Sequence, residues 1–231
     1  MTRRSAAISL LSMLALPGIA HARGTHDEQV WVNVTGMGGI GRHIVYFAEI
    51  QPRIGDGASD LNQLLLRPAI GVRLSPSLTV YQGYARVRTP VSGGTDTVED
   101  RSFQQISWKI ASPRGRGDFS SRTRIEQRWV STGEDMGWRL REMIRLAVPL
   151  GQEQGRPRVA ALADAEGFFA LNGTDWGARG GFDRLRAFVG AEVPVGGRST
   201  VELGYLNQTV RQRMRPDTMD HVASVSVFLR R

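Results

Sequence analysis

The chain has 231 residues, a formal net charge of +8, no cysteine, 41% hydrophobic residues and a mean hydropathy of −0.25. Without cysteine there are neither disulfides nor thiolate metal sites. No apolar run reaches the ~18 residues of a membrane-spanning helix, but an average this low is compatible with a membrane β-barrel, whose lumen residues dilute the apolar signal.

The first segment reads as an export signal. Thr2-Arg3-Arg4 is basic, Ala6–Leu16 is apolar, Pro17 and Gly18 break the run, and Ala20-His21-Ala22 has the A-x-A form of a cleavage site. Residues 1–22 are expected to be a cleaved Sec signal peptide, leaving residues 23–231 as one domain. Loss of Arg3 and Arg4 lowers the charge from +8 to +6.

In the mature chain the dominant period is two. Val30, Val32 and Val34 alternate with Trp31, Asn33 and Thr35 as a short strand. The glycines of TGMGGIG (35–41) match the dinucleotide pattern G-x-G-x-x-G, but that pattern requires a helix next. The following residues, His43–Ile50, are β-branched and aromatic, so the stretch reads as a glycine-rich turn. His43–Arg53 is a second strand, Leu61–Leu74 a third, with Pro68 expected to mark a bulge, and Leu78–Arg88 a fourth. The polar segment 89–100 reads as a loop and Arg101–Ala111 as a fifth strand.

A long hairpin over Ser121–Leu150 carries the clearest pattern. Arg122, Arg124, Glu126 and Arg128 share one face of its first strand. On the second, Arg139, Arg141 and Arg145 oppose Trp138, Leu140, Ile144 and Leu146. The next strands are Arg158–Glu166 with Asp164 and Glu166 on one face, Phe182–Val193 with Arg184 and Arg186, Thr200–Gln208 and Val222–Leu229. Residues 168–181 read as a loop. An arginine facing lipid at mid-bilayer costs roughly 2–4 kcal/mol, so the charged rows are expected to face the lumen. The inward set is then net positive, and it includes Arg53, Arg67, Arg86 and Arg88 besides the residues just named. Glu142 falls on the lipid face, where a bulge or an interfacial position is required.

The expected fold is all-β, an antiparallel up-and-down transmembrane barrel of 10–12 strands. Eleven strands are counted where bacterial barrels usually have an even number, so either Val30–Thr35 does not span or a further strand is present. Short segments (75–77, 112–118, 151–157, 195–199) are expected on the periplasmic side. The longer ones (54–60, 89–100, 131–137, 168–181, 211–220) are expected outside.

The blocks WVNVTG, YFAEIQPRIG, LLLRPAIGVRL, SRTRIEQRW, WRLREMIRLAVPL and TDWGARGGFDRLRAFVG occur in order over Trp31–Phe228. On these the chain closely resembles the domain of unknown function 2490 family of exported bacterial barrels. The resemblance implies an outer-membrane barrel and carries no activity. The chain ends in Arg231, where outer-membrane barrels commonly end in an aromatic residue.

His26, His43 and His221 lack metal-ligand spacing, and no nucleophile elbow or cofactor motif is present. The expected partners are outer-membrane lipids, lipopolysaccharide in particular, and the outer-membrane assembly machinery. Nucleic acid is not expected, because the charge alternates along strands instead of clustering. Two functions stay open: a non-enzymatic barrel, structural or weakly permeable to small anions, and a lipid A- or phospholipid-modifying barrel enzyme. For the second, Asp164 and Glu166 are a candidate acid–base pair.

Overall fold

A computed structural model describes residues 26–110, 117–151, 159–212 and 216–231. The expected signal peptide, most of the segments 112–118 and 151–157, and part of 211–220 lie outside the described residues.

Eleven strands close into one barrel. They are β1 (His26–Ile40), β2 (Ile44–Gly55), β3 (Asp60–Arg73), β4 (Leu78–Thr89), β5 (Thr97–Ile110), β6 (Asp118–Val130), β7 (Gly137–Pro149), β8 (Ala160–Ala170), β9 (Gly181–Gly196), β10 (Ser199–Val210) and β11 (Thr218–Arg230). Each pairs antiparallel with its sequence neighbour, but β1 and β11 close the barrel parallel, with Trp31 beside Ser224 and Val32 beside Val225. The barrel is thus antiparallel as expected except at this one closing pair, and the cause is parity. Eleven sequentially reversing strands leave the first and last running the same way. The described termini therefore lie at opposite ends, His26 beside Met219 and Met37 beside Arg230.

The first strand is much longer than Val30–Thr35. The glycine-rich stretch continues as strand to Ile40, and only residues 41–43 turn, with Gly41 at φ 66°. Glycines hid the alternation because they carry no side chain to alternate. One has a packing reason: a Cβ on Gly38 would lie 2.9 Å from the Tyr46 hydroxyl, since the ring from β2 lies across it. Pro68 sits in unbroken register between Ala48 and Leu66–Ala69, and the register shift in this pair falls at Arg53/Ile54 instead. The ladder from β3 to β4 simply skips Arg67 and Pro68, since proline donates no hydrogen bond.

Along the strands burial alternates. In β2, Val45, Phe47, Glu49 and Arg53 are buried, while Ile44, Ala48 and Ile50 are exposed. The barrel interior therefore holds charged groups as well as aromatic ones. Phe103 is fully buried with Phe47 and Tyr81 against it, and its ring fills the space over Gly83, where a Cβ would be 2.1 Å away. The outside is predominantly apolar, with Ile70, Ile106, Ile144, Val189 and Leu203 all exposed.

The expected facing fails in β4. Arg86 and Arg88 lie outside, with side chains 56% and 63% exposed, because β4 turns Gly83, Ala85 and Val87 inward to accommodate bulkier neighbours. They bind Asp100 and Asp96 near the 90–96 loop. Glu142 does face outward, but no bulge accommodates it: β7 keeps register with both neighbours. Its carboxylate accepts hydrogen bonds from Ser121 Oγ at 2.6 Å and Thr123 Oγ1 at 2.5 Å on β6.

Candidate functional site: the charged interior

The register of β6 to β9 stacks the charged rows beside one another. Glu126 is opposite Arg139, Arg124 opposite Arg141, Arg145 opposite Asp164 and Glu166 opposite Arg186. Period two puts every second residue inside, and three of these four cross-strand pairs bring opposite charges together, while Arg124 and Arg141 are like charges held apart by the Glu126 carboxylate between them.

Two carboxylates organise the centre. Glu126 accepts from Arg139 Nε at 2.9 Å and Nη2 at 2.5 Å and from Arg141 Nη1 at 2.8 Å, with Arg124 at 3.5 Å. Glu166 accepts from Arg141 at 2.8 and 3.0 Å and from Arg122 at 2.7 Å, with Arg186 at 4.0 Å. Arg141 joins the two. Further along, Arg145 bridges Asp164 at 3.6 Å and Glu202 at 2.6 Å. Arg128 binds Glu99, which also holds Arg101 at 2.7 Å. Arg67 binds Glu49 at 2.5 Å.

Of the sequence-selected residues, Arg122, Arg128, Arg139, Arg141, Arg145, Asp164, Glu166, Arg184 and Arg186 line one cavity of about 290 Å³. Arg124 and Glu126 are packed in the same network at 2% and 1% side-chain exposure. Glu99 went unseen in sequence because residues 89–100 read as a loop, whereas β5 begins at Thr97. Phe168 was likewise assigned to a loop. It belongs to β8, is 1% exposed, and lies under Arg141 at 4.6 Å and Arg186 at 4.8 Å from the ring centroid. Trp31 carries Arg53 at 4.0 Å and Arg186 at 4.8 Å in the same way. The signal for these rings was available in the inward phase of their strands.

At the long-loop end, segments 131–136 and 171–180 lock together. The Asp175 carboxylate accepts from the Glu134 and Asp135 backbone N–H groups at 2.8 and 3.2 Å, and Asp135 accepts from Asp175 N–H at 2.8 Å. The Glu134 backbone donor, with others around it, holds the Asp175 carboxyl below the usual carboxylate range, against a smaller desolvation effect. Trp176 donates to the Asp135 carbonyl at 2.7 Å and lies against Gly137, with Arg128 at 4.9 Å from its ring. The loop thereby places an aromatic ring over the inner arginine nearest that end.

Chemically the interior offers forked cationic donors. Ten arginines and five carboxylates line the cavity, which favours anions. Among the described residues no group of three His, Cys, Asp or Glu side chains is arranged to hold a metal ion. His26 and His221 stack across the β1–β11 seam at 5.5 Å, on its outer side, with the Tyr205 hydroxyl 2.6 Å from His221 Nδ1.

No solved structure matches the chain. An uncharacterised protein of Methylorubrum extorquens is 49% identical to it over 223 residues, covering 96% of each chain. The family described as protein of unknown function (DUF2490) matches residues 28–220. With a family match over most of its length, this β-barrel chain belongs to the DUF2490 family.

Proposed function

We propose that the chain is an outer-membrane β-barrel, exported by its N-terminal signal, non-enzymatic, and either structural or weakly permeable to small anions. The observation that carries this is the reversed polarity of the barrel. Ile70 and Val189 are 56% and 57% exposed on the outside, while Arg124 and Glu126 are almost wholly buried inside. A barrel folded for water would reverse this, since large contiguous apolar surface marks a contact with lipid or another apolar partner. The strands have 11 to 16 residues, against the ~9–11 that a tilted strand needs to cross a bilayer. Arg86 and Arg88, the outward arginines of β4, lie toward the long loops, at headgroup level in this reading, where lipopolysaccharide is the anionic neighbour.

Permeability follows from strand number. Eight-stranded barrels are filled by side chains and aqueous channels open at about 16–18 strands. Eleven strands filled with arginine leave a narrow passage at most, and its positive lining favours anions. The enzymatic alternative gains no support from Asp164 and Glu166, since each is engaged by arginine.

The protein should fractionate with outer membranes and run faster unheated than boiled on a denaturing gel. Recovery as a soluble periplasmic protein refutes the membrane reading. Refolded into planar bilayers it should give little or weakly anion-selective conductance, and a large cation-selective pore refutes the inward placement of charge. Altered lipid A in a deletion strain would favour the enzyme.

A further inference from the structure

We propose that the interior contains a binding site for a phosphate-class oxyanion, built by Arg53 on β2 and Arg184 and Arg186 on β9 beside Trp31. The inference rests on the closed barrel and not on the membrane location or conductance proposed above.

The argument starts from unequal pairing. Seven of the ten arginines lining the cavity have a carboxylate oxygen within 3.6 Å, and the exceptions are Arg53, Arg184 and Arg186. Among the described residues Arg53 donates only to amide oxygens, Gln51 Oε1 at 2.7 and 3.0 Å and Gln63 Oε1 at 3.0 Å. Arg184 and Arg186 share one amide oxygen, Gln208 Oε1, at 3.2 and 2.8 Å, and Glu166 reaches Arg186 only at 4.0 Å. Among the described residues Arg184 Nε is buried with no partner, as are Arg67 Nε, Arg122 Nε and Arg124 Nη1. Among the described residues Arg184 forms no ion pair, and Asp220 is taken up by the Gln208 amide.

The three cations are near neighbours. Arg184 and Arg186 meet at the Gln208 Oε1 atom. Arg53 and Arg186 also lie on the same indole, 4.0 and 4.8 Å from its centroid. Trp31 is fixed in turn by its Nε1, which donates to Gln29 Oε1 at 2.7 Å. Buried like charges without a counter-ion are unfavourable, and neutral amides satisfy donors without cancelling charge. A tetrahedral dianion would do both, because its oxygens accept from several guanidinium forks at once. The adjoining cavity of about 290 Å³ has room for such a group. The phosphate can be free or carried by a lipid headgroup, and the two sources are separable.

The test uses full-length protein refolded in phosphate-free detergent. Calorimetric titration with inorganic phosphate should show saturable binding, and phosphate should raise the unfolding midpoint. Arg53→Gln and Arg186→Gln should each weaken binding by about tenfold or more, as expected for loss of a charge-assisted contact. Arg86→Gln, on the outside, should not. Heat-modifiability verifies folding of each variant, and Arg184→Gln replaces any that fails. Protein extracted from native membranes is assayed by phosphorus NMR and mass spectrometry for co-purified phospholipid or lipopolysaccharide. Headgroup phosphate that is lost in the Arg53→Gln protein supports the site with lipid as the source. Absence of both free and lipid phosphate overturns the proposal, as does binding unchanged in folded Arg53→Gln and Arg186→Gln. Phosphate binding without conductance leaves the site standing and counts only against permeability.

Discussion

Replacing Glu126 with glutamine tests whether the ion-pair network holds the barrel together. The side chain is 1% exposed and serves three arginines. Glutamine keeps its shape but turns one acceptor oxygen into a donor amide that faces guanidinium donors. Arg141 keeps Glu166 at 2.8 Å, and Arg124 keeps Gln105 and the Phe103 ring. Arg139 has no other carboxylate among the described ion pairs. Arg139 and Arg124 are thus both left without a carboxylate among the described ion pairs, a loss of at least about 3–5 kcal/mol. The exposed Arg86–Asp100 pair provides the comparison, and Arg86→Gln should cost no more than about 1 kcal/mol. Urea unfolding of refolded protein, followed by tryptophan fluorescence and gel mobility, measures both. Adding Arg139→Gln to Glu126→Gln should restore part of the loss, because one orphaned charge goes with its partner, with a coupling of about 0.5–3 kcal/mol. A Glu126→Gln penalty no larger than that of Arg86→Gln would refute the reasoning.

Val189→Arg places a charge midway along β9 on the outer face and should block assembly in membranes at a cost of roughly 2–4 kcal/mol; assembly equal to wild type contradicts the outward apolar belt. The Asp175 lock between residues 131–136 and 171–180 should be pH-dependent. Because its folded pKa is depressed, its contribution is present above the ordinary carboxylate range and is lost as pH falls below about 4, so protease cleavage in these loops should rise there and Asp175→Asn should cleave readily at pH 7. The seam is open to a covalent test, since the chain has no cysteine and Val32 pairs with Val225. Val32→Cys with Val225→Cys should form a disulfide under mild oxidation, whereas Val32→Cys with Ser224→Cys should cross-link poorly because adjacent positions point to opposite faces; the reverse result rejects the parallel register.

The parts of the fold that sequence revealed are those where side chains report the pleat. From Arg122 to Arg128 and from Arg139 to Arg145 each residue is large and clearly polar or apolar, so phase could be read directly. Phase was lost where that contrast fails. In Thr35–Ile40 glycines are silent. In Leu78–Thr89 both faces are mixed, Arg86 and Arg88 against Ala85 and Val87, and the charged face reads as inward. There the inside is occupied by small residues that make room for Phe103, a packing demand no single strand displays. Strand ends were shortened at polar residues, which removed Glu99 and Phe168 from the interior. Pairing partners were beyond reach because registers between strands depend on turns and closure, as the parallel β1–β11 contact does.

The interior also answers how a surplus of buried arginine is tolerated. Carboxylates neutralise only part of it, since five line the cavity against ten arginines. Aromatic faces take up more. Phe168 has four guanidinium groups between 4.6 and 5.7 Å of its centroid, Trp31 has two, and Phe103 has Arg124 at 4.4 Å. A cation on an aromatic face gains about 0.5–2 kcal/mol, more when desolvated, without cancelling its charge. Replacing such rings by acids would reduce the excess of positive charge; replacing them by small residues would open the interior. With phenylalanine and tryptophan there, the interior is packed and remains positive. Trp31 and Phe168 thus fill the space among the arginines while leaving their charge in place.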